Sequence, residues 1–104
     1  MTRLYFSRTP ITALPAWVAE CTSLEELYLE RCEKLVEPPD VSTLASLVKL
    51  DLSNTKIVEP PNVSTLTNLE TLDLEGCDQL RALPDVSANK NLKDSNLSKP
   101  WHLK

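Results

Sequence analysis

Apolar and polar positions recur along this chain with a period of 22–23 residues. Leucine-type residues open five segments, at Met1, Leu24, Leu47, Leu69 and Leu92. Three places on, the column reads Leu4, Leu27, Leu50, Leu72 and Ser95; five places on, it reads Phe6, Leu29, Leu52, Leu74 and Leu97. Eight places on come Thr9, Cys32, Thr55, Cys77 and Pro100, and then Ile11, Leu35, Ile57 and Leu80. The x-L-x-L-x part of each segment alternates with period 2, which predicts a short strand with leucines inward and their neighbours outward. Strands repeated at this interval predict stacked rungs, each burying its leucines only against the rungs beside it.

The return half of each segment starts at proline: "LPAWVAECTS", "EPPDVSTLAS", "EPPNVSTLTN" and "LPDVSANKN". Val18, Val41, Val63 and Val86 share one column, and Cys21, Leu44, Leu66 and Asn89 share another, so these residues are predicted to enter the core from the outer side. Asp40, Asn62 and Asp85 each precede a Val-Ser pair, the place for a polar cap on a single helical turn. Pro15 suits the first position of a short helix over "PAWVAECTS".

The pattern L-x-x-L-x-L-x-x-(C/T)-x-(x)-L is similar to that of leucine-rich repeats. It implies an α/β solenoid of about four and a half rungs: 1–23, 24–46, 47–68, 69–91 and a partial 92–104. A parallel concave sheet and an irregular or 3-10 convex side complete the expected architecture, in a single domain. The wording also resembles plant intracellular immune receptors of the nucleotide-binding, leucine-rich-repeat type that carry a TIR domain. The C-x-x-L-x-x-L-P dialect of those receptors corresponds to "CEKLVEPP" and "CDQLRALP", and their T-x-I-x-x-L-P dialect to "TPITALP" and "TKIVEPP". Where that family writes Gly before Cys, one unit here has Arg31, and "EPP" twice replaces "LP". The resemblance implies protein recognition in defence signalling, with the chemistry residing in other domains.

Composition narrows the function classes. The net charge is −4, and eleven Lys and Arg are scattered along the chain, so a nucleic-acid partner is not expected. No segment reaches the roughly 20 apolar residues of a membrane span. Arg8 and Pro10 interrupt the apolar run that a signal peptide would need, so a cytoplasmic location is expected. A single glycine, Gly76, leaves no phosphate-cradling loop. Cys32 and Cys77 occupy one column two rungs apart, about 9–10 Å at strand spacing. That is beyond the roughly 7 Å limit between Cα atoms in a disulfide, so both are expected to be core thiols. Neither a metal nor a cofactor is expected, and the lone His102 has no catalytic companions, so no enzymatic activity is expected either.

The outward strand residues are the candidate binding site. One column reads Tyr5, Tyr28, Asp51, Asp73 and Asn96; the next reads Ser7, Glu30, Ser53 and Glu75. Tyr5 and Tyr28 would be adjacent aromatic anchors about 5 Å apart. Glu30, Asp51, Asp73 and Glu75 would form an acidic field over the centre, suited to a protein partner with a basic patch. Arg3, Glu26 and Lys49 alternate in sign and read as a stacking ladder. Trp17 shares the column of Asp40 and Asp85 and should be exposed, either as a partner contact or as cover for the first rung. The first rung has no polar cap before it, which predicts an N-terminal edge that self-associates or is covered by a further segment. The expected function is protein binding through the concave sheet. The alternative is a structural or autoinhibitory part of a larger receptor, without a ligand of its own.

Overall fold

The computed structural model describes residues 2–96, the last three through their backbone. Five three-residue strands form one parallel sheet in chain order: β1 (Arg3–Tyr5), β2 (Glu26–Tyr28), β3 (Lys49–Asp51), β4 (Thr71–Asp73) and β5 (Asp94–Asn96). The register follows the sequence columns, with Leu4 beside Leu27, Leu27 beside Leu50, and Leu50 beside Leu72. Each strand pairs with one a full period away, so the chain is a short solenoid. Trp101 and Leu103, which the sequence places to fold over the last rung, fall outside the described residues.

Each strand is short because the chain turns sharply just after it. Arg8, Arg31, Asn54 and Gly76 hold that turn with φ of 62°, 60°, 59° and 75°. The N–H groups of Arg8, Arg31 and Asn54 donate to the carbonyls of Glu30, Ser53 and Glu75 on the next rung, at 3.0, 2.9 and 2.8 Å. Glycine and asparagine tolerate this left-handed conformation, whereas for other residues it costs about 1–2 kcal/mol. At Gly76 space imposes a second constraint, because the Asn54 side chain fills the position that a Cβ would take.

Behind the strands lies a column of polar donors. The Phe6 carbonyl accepts from its own rung's Thr9 hydroxyl at 2.7 Å and from the next rung's Cys32 thiol at 3.0 Å. Two rungs on, the Leu52 carbonyl accepts from Thr55 at 2.9 Å and from Cys77 at 3.1 Å. The hydroxyl and thiol of each pair are in contact, at 3.7 Å for Thr9–Cys32 and 3.5 Å for Thr55–Cys77. Cys32, Thr55 and Cys77 are buried, and burial pushes the Cys77 thiol pKa up. Both cysteines therefore belong to the core, as the columns predict.

The core is the leucine ladder itself, Leu24 to Leu80, with Val18, Val41 and Val63 entering from the convex side. First-rung counterparts Leu4, Phe6, Ile11, Leu14 and Cys21 are only partly buried, as is Val86 near the other end. Asn89 stands in the column of Leu44 and Leu66 and is 5% exposed. Its amide nitrogen ties back to the carbonyls of Val63 at 2.9 Å and Leu66 at 2.8 Å.

On the convex side each rung makes tight i→i−3 turns, such as Leu44 N–H to the Val41 carbonyl and Leu66 N–H to that of Val63. Asp40, Asn62 and Asp85 cap these turns by accepting the N–H of Ser42, Ser64 and Ser87 at 3.1, 3.0 and 2.9 Å. The Ser42 hydroxyl and N–H hold the Asp40 carboxyl below the usual range, and the Ser87 N–H and hydroxyl do the same at Asp85. The first rung has Trp17 at this position and lacks the cap. There the chain winds into a 3-10 helix, Ala16–Glu20. Pro15 precedes this helix at the N-cap with an extended ψ of 146°, one place before the helical position that the sequence suggests. Its carbonyl accepts the Val18 N–H at 3.0 Å.

Two outcomes test this architecture. Arg31→Gly should relieve the left-handed turn and stabilise the protein by about 0.5–1 kcal/mol, whereas Gly76→Ala should destabilise it by about 1–2 kcal/mol; both are read from denaturant midpoints. In thiol labelling of the native protein, Cys21 should react quickly. Cys32 and Cys77 should react only at the rate of unfolding, and rapid modification of all three thiols would contradict the ladder.

Candidate functional site

The outward residues of β1 to β4 form one face. On it the rings of Tyr5 and Tyr28 stack with centroids 4.8 Å apart and planes within 2°. The spacing is set by the backbone, because paired strands lie about 4.8 Å apart. Tyr5 is 62% exposed, and the pair presents a flat aromatic surface to solvent at one end of the sheet. On the next rung the Lys49 ammonium lies over the Tyr28 ring, 5.2 Å from its centroid. This favourable cation–aromatic contact extends the stack to a third rung.

The Arg3, Glu26, Lys49 column forms only the first step of the expected ladder. Arg3 pairs with Glu26 at 3.5 Å, and Glu26 also accepts the Tyr28 hydroxyl at 2.5 Å. With Glu26 shared between these two donors, Lys49 sits over the aromatic ring. The hydrogen bond to Glu26, with burial and the Glu26 charge adding to it, pushes the Tyr28 phenol up to about 12. The phenol thus stays a donor, and its ring stays fixed beneath Tyr5.

The acidic residues have a double role. Asp51 Oδ1 accepts the Ser53 N–H at 3.0 Å and the Ser53 hydroxyl at 2.8 Å, and Asp73 Oδ1 accepts the Glu75 N–H at 3.0 Å. Glu30 accepts the Ser7 hydroxyl from the neighbouring rung at 2.9 Å. Asp51 and Asp73 are directly paired in register, so one face gathers Glu30, Asp51, Asp73 and Glu75 beside the tyrosines. Asp51 and Asp73 end their strands as well as charging the face. The same D-x-S spelling marks the convex caps at Asp40 and Asp85, and at "DLS" it could have shown this second role for Asp51.

Trp17 lies apart from this face. It is 50% exposed, and its ring tilts at 48° against Phe6 with centroids 6.2 Å apart. It therefore covers part of the first rung's core while one side remains open. Lys49 is the residue that sequence reasoning assigned to the wrong company. Among the described residues, no group of three or more His, Cys, Asp or Glu is placed to hold a metal ion. No helix among them is long and apolar enough to cross a membrane.

A family model for leucine-rich repeats (two copies) matches residues 45–98, just over half of the chain. The chain belongs to the leucine-rich-repeat family. Among solved structures this leucine-rich-repeat chain is similar to the functional domain of InlJ from Listeria monocytogenes, which is described as including a cysteine ladder. The two share 32% sequence identity at a TM-score of 0.64, over 72% of this chain and 16% of that chain. No curated protein matches the chain significantly. Leucine-rich-repeat domains generally mediate protein–protein interaction, and the fold is typically a non-catalytic scaffold.

The stack has a spectroscopic consequence. In an ultraviolet titration of the folded protein, one phenol should resist ionisation until about pH 12, and Tyr28→Phe or Glu26→Gln should abolish that late step. An unfolded chain ionises this phenol near 10.0, so the stabilisation is complete below pH 10 and is lost as the pH rises towards 12. A late step that survives in Tyr28→Phe would refute the assignment.

Proposed function

We propose that this leucine-rich-repeat domain binds a protein partner through its concave face, with Tyr5 and Tyr28 as the anchor. The observation that carries this reading is the parallel tyrosine stack, in which Glu26 and Lys49 hold a half-buried Tyr28 beneath an exposed Tyr5. Aromatic side chains already fixed in place bind at low entropic cost, and interface energy concentrates in such residues. Glu30, Asp51, Asp73 and Glu75 lie beside the anchor on the same sheet. A partner with an apolar or aromatic knob flanked by Lys or Arg fits both halves. The two dialects of the repeat support a role in recognition of the immune-receptor kind, and the free thiols of Cys21, Cys32 and Cys77 favour a reducing compartment such as the cytoplasm.

The test is kinetic. With an identified partner immobilised, Tyr5→Ala with Tyr28→Ala should raise the dissociation rate at least tenfold, in keeping with hot-spot truncation. Neutralising Asp73 and Glu75 should mainly slow association and flatten its dependence on salt. Loss of the stack should cost the fold about 0.5–1.5 kcal/mol, so circular dichroism must show the double variant to be folded. A folded double variant that dissociates as slowly as wild type would overturn the reading.

A further inference from the structure

On the convex side a groove of about 400 Å³ opens between the first and second rungs. This volume lies at the lower end of the range of about 300–1,000 Å³ for ligand sites. Val18 and Pro39, both buried, form part of its lining, with exposed Ala16 and Ala19 on the first rung and exposed Glu37 and Asp40 on the second. Its origin is a break in the repeat. Counted back from the column valines, Ala16 occupies the place of Pro39, Pro61 and Pro84, all three of which are buried. The missing proline ring leaves a trough beside Pro39. The two rungs are tied there by the Thr43 hydroxyl, which donates to the Ala19 carbonyl at 2.7 Å, so the trough is formed before anything enters it.

We propose that this groove is a second binding site, which seats an apolar side chain of a partner peptide and sets a flanking lysine or arginine against Glu37 and Asp40. The apolar lining fits the first part. Charge decides the second, because the lining carries two carboxylates and no cation. Asp40 is also oriented for the task. Its Oδ1 is held by the Ser42 N–H at 3.1 Å and the Ser42 hydroxyl at 2.7 Å, which leaves Oδ2 for an incoming cation. These bonds lower the carboxyl further below the usual carboxylate range. The site is independent of the concave tyrosines, so either reading can fail alone.

The experiment follows backbone amides by NMR while the protein is titrated with three capped tripeptides, Lys-Leu-Lys, Gln-Leu-Gln and Glu-Leu-Glu. Lys-Leu-Lys should shift the amides of Ala16, Val18, Ala19 and Asp40 and bind at least tenfold more tightly than Glu-Leu-Glu. Glu37→Gln with Asp40→Asn should weaken Lys-Leu-Lys about three- to tenfold, as expected for two exposed ion pairs. Ala16→Pro restores the proline of the other rungs at a position compatible with helix entry and should abolish binding while the remaining spectrum stays in place. Four results with the peptides would overturn the proposal. These are equal binding of all three peptides, shifts confined to Tyr5 and Tyr28, undiminished binding in a folded Ala16→Pro variant, and no shift with any peptide. Groove amides that move with protein concentration alone would assign the groove to a second copy of this chain and would also overturn it.

Discussion

The structure depends on how one rung closes against the next. A parallel strand of three residues offers few backbone bonds, and its leucine is buried only if another rung lies about 4.8 Å away on each side. The turn after each strand therefore carries much of the load. In the first and third rungs the carbonyls of Phe6 and Leu52 each accept a threonine hydroxyl from their own rung and a cysteine thiol from the next. Two small donors at one buried carbonyl satisfy it without side-chain volume that would push the rungs apart. This explains why the column alternates Thr, Cys, Thr, Cys. The residue that serves its own rung is the hydroxyl, and the one that reaches back to the preceding rung is the longer, softer thiol.

The same spacing makes the outer face what it is. Residues in one outward column are held at the strand separation whatever their chemistry, so two tyrosines there must stack and two aspartates must sit side by side. The stack gains from this enforced proximity, whereas the aspartates repel. The repulsion is offset locally, because each aspartate turns one oxygen into the N–H two residues on, at Ser53 and Glu75. The acidic centre is thus partly a device for ending strands. Its charge is a consequence that a partner can use.

The rungs, their register and nearly all of the core were legible in the sequence, because a period of 22–23 residues aligns Leu27, Leu50 and Leu72 without ambiguity. The closeness of Tyr5 and Tyr28 and the exposure of Tyr5 were legible for the same reason, although Tyr28 is half-buried. What could not be read were contacts that cross columns. Lys49 belongs by register beside Glu26, but Glu26 is already engaged by Arg3 and the Tyr28 hydroxyl, and a one-dimensional column does not record that competition. Nor does a column reveal empty space. The convex groove lies where Ala16 takes the place that Pro39, Pro61 and Pro84 hold in later rungs, and its depth depends on how two rungs settle against each other.

Column residues and departures from them carry different information. Leu50, Thr55 or Val63 cannot be spared for recognition, since each is fully used in holding one rung to the next. A rung that departs from the rule gains surface that its neighbours do not have. The first two rungs concentrate such departures: tyrosine where later rungs have aspartate, Trp17 where they have a capping aspartate or asparagine, and Ala16 where they have a buried proline. The Trp17 and Ala16 exchanges give up a cap and a buried proline, whereas the tyrosines put a stack where later rungs pair aspartates, and together they open an aromatic face and an apolar trough. In a stack whose remaining positions are committed to its own cohesion, the places where the repeat is broken are the places where another molecule can be recognised.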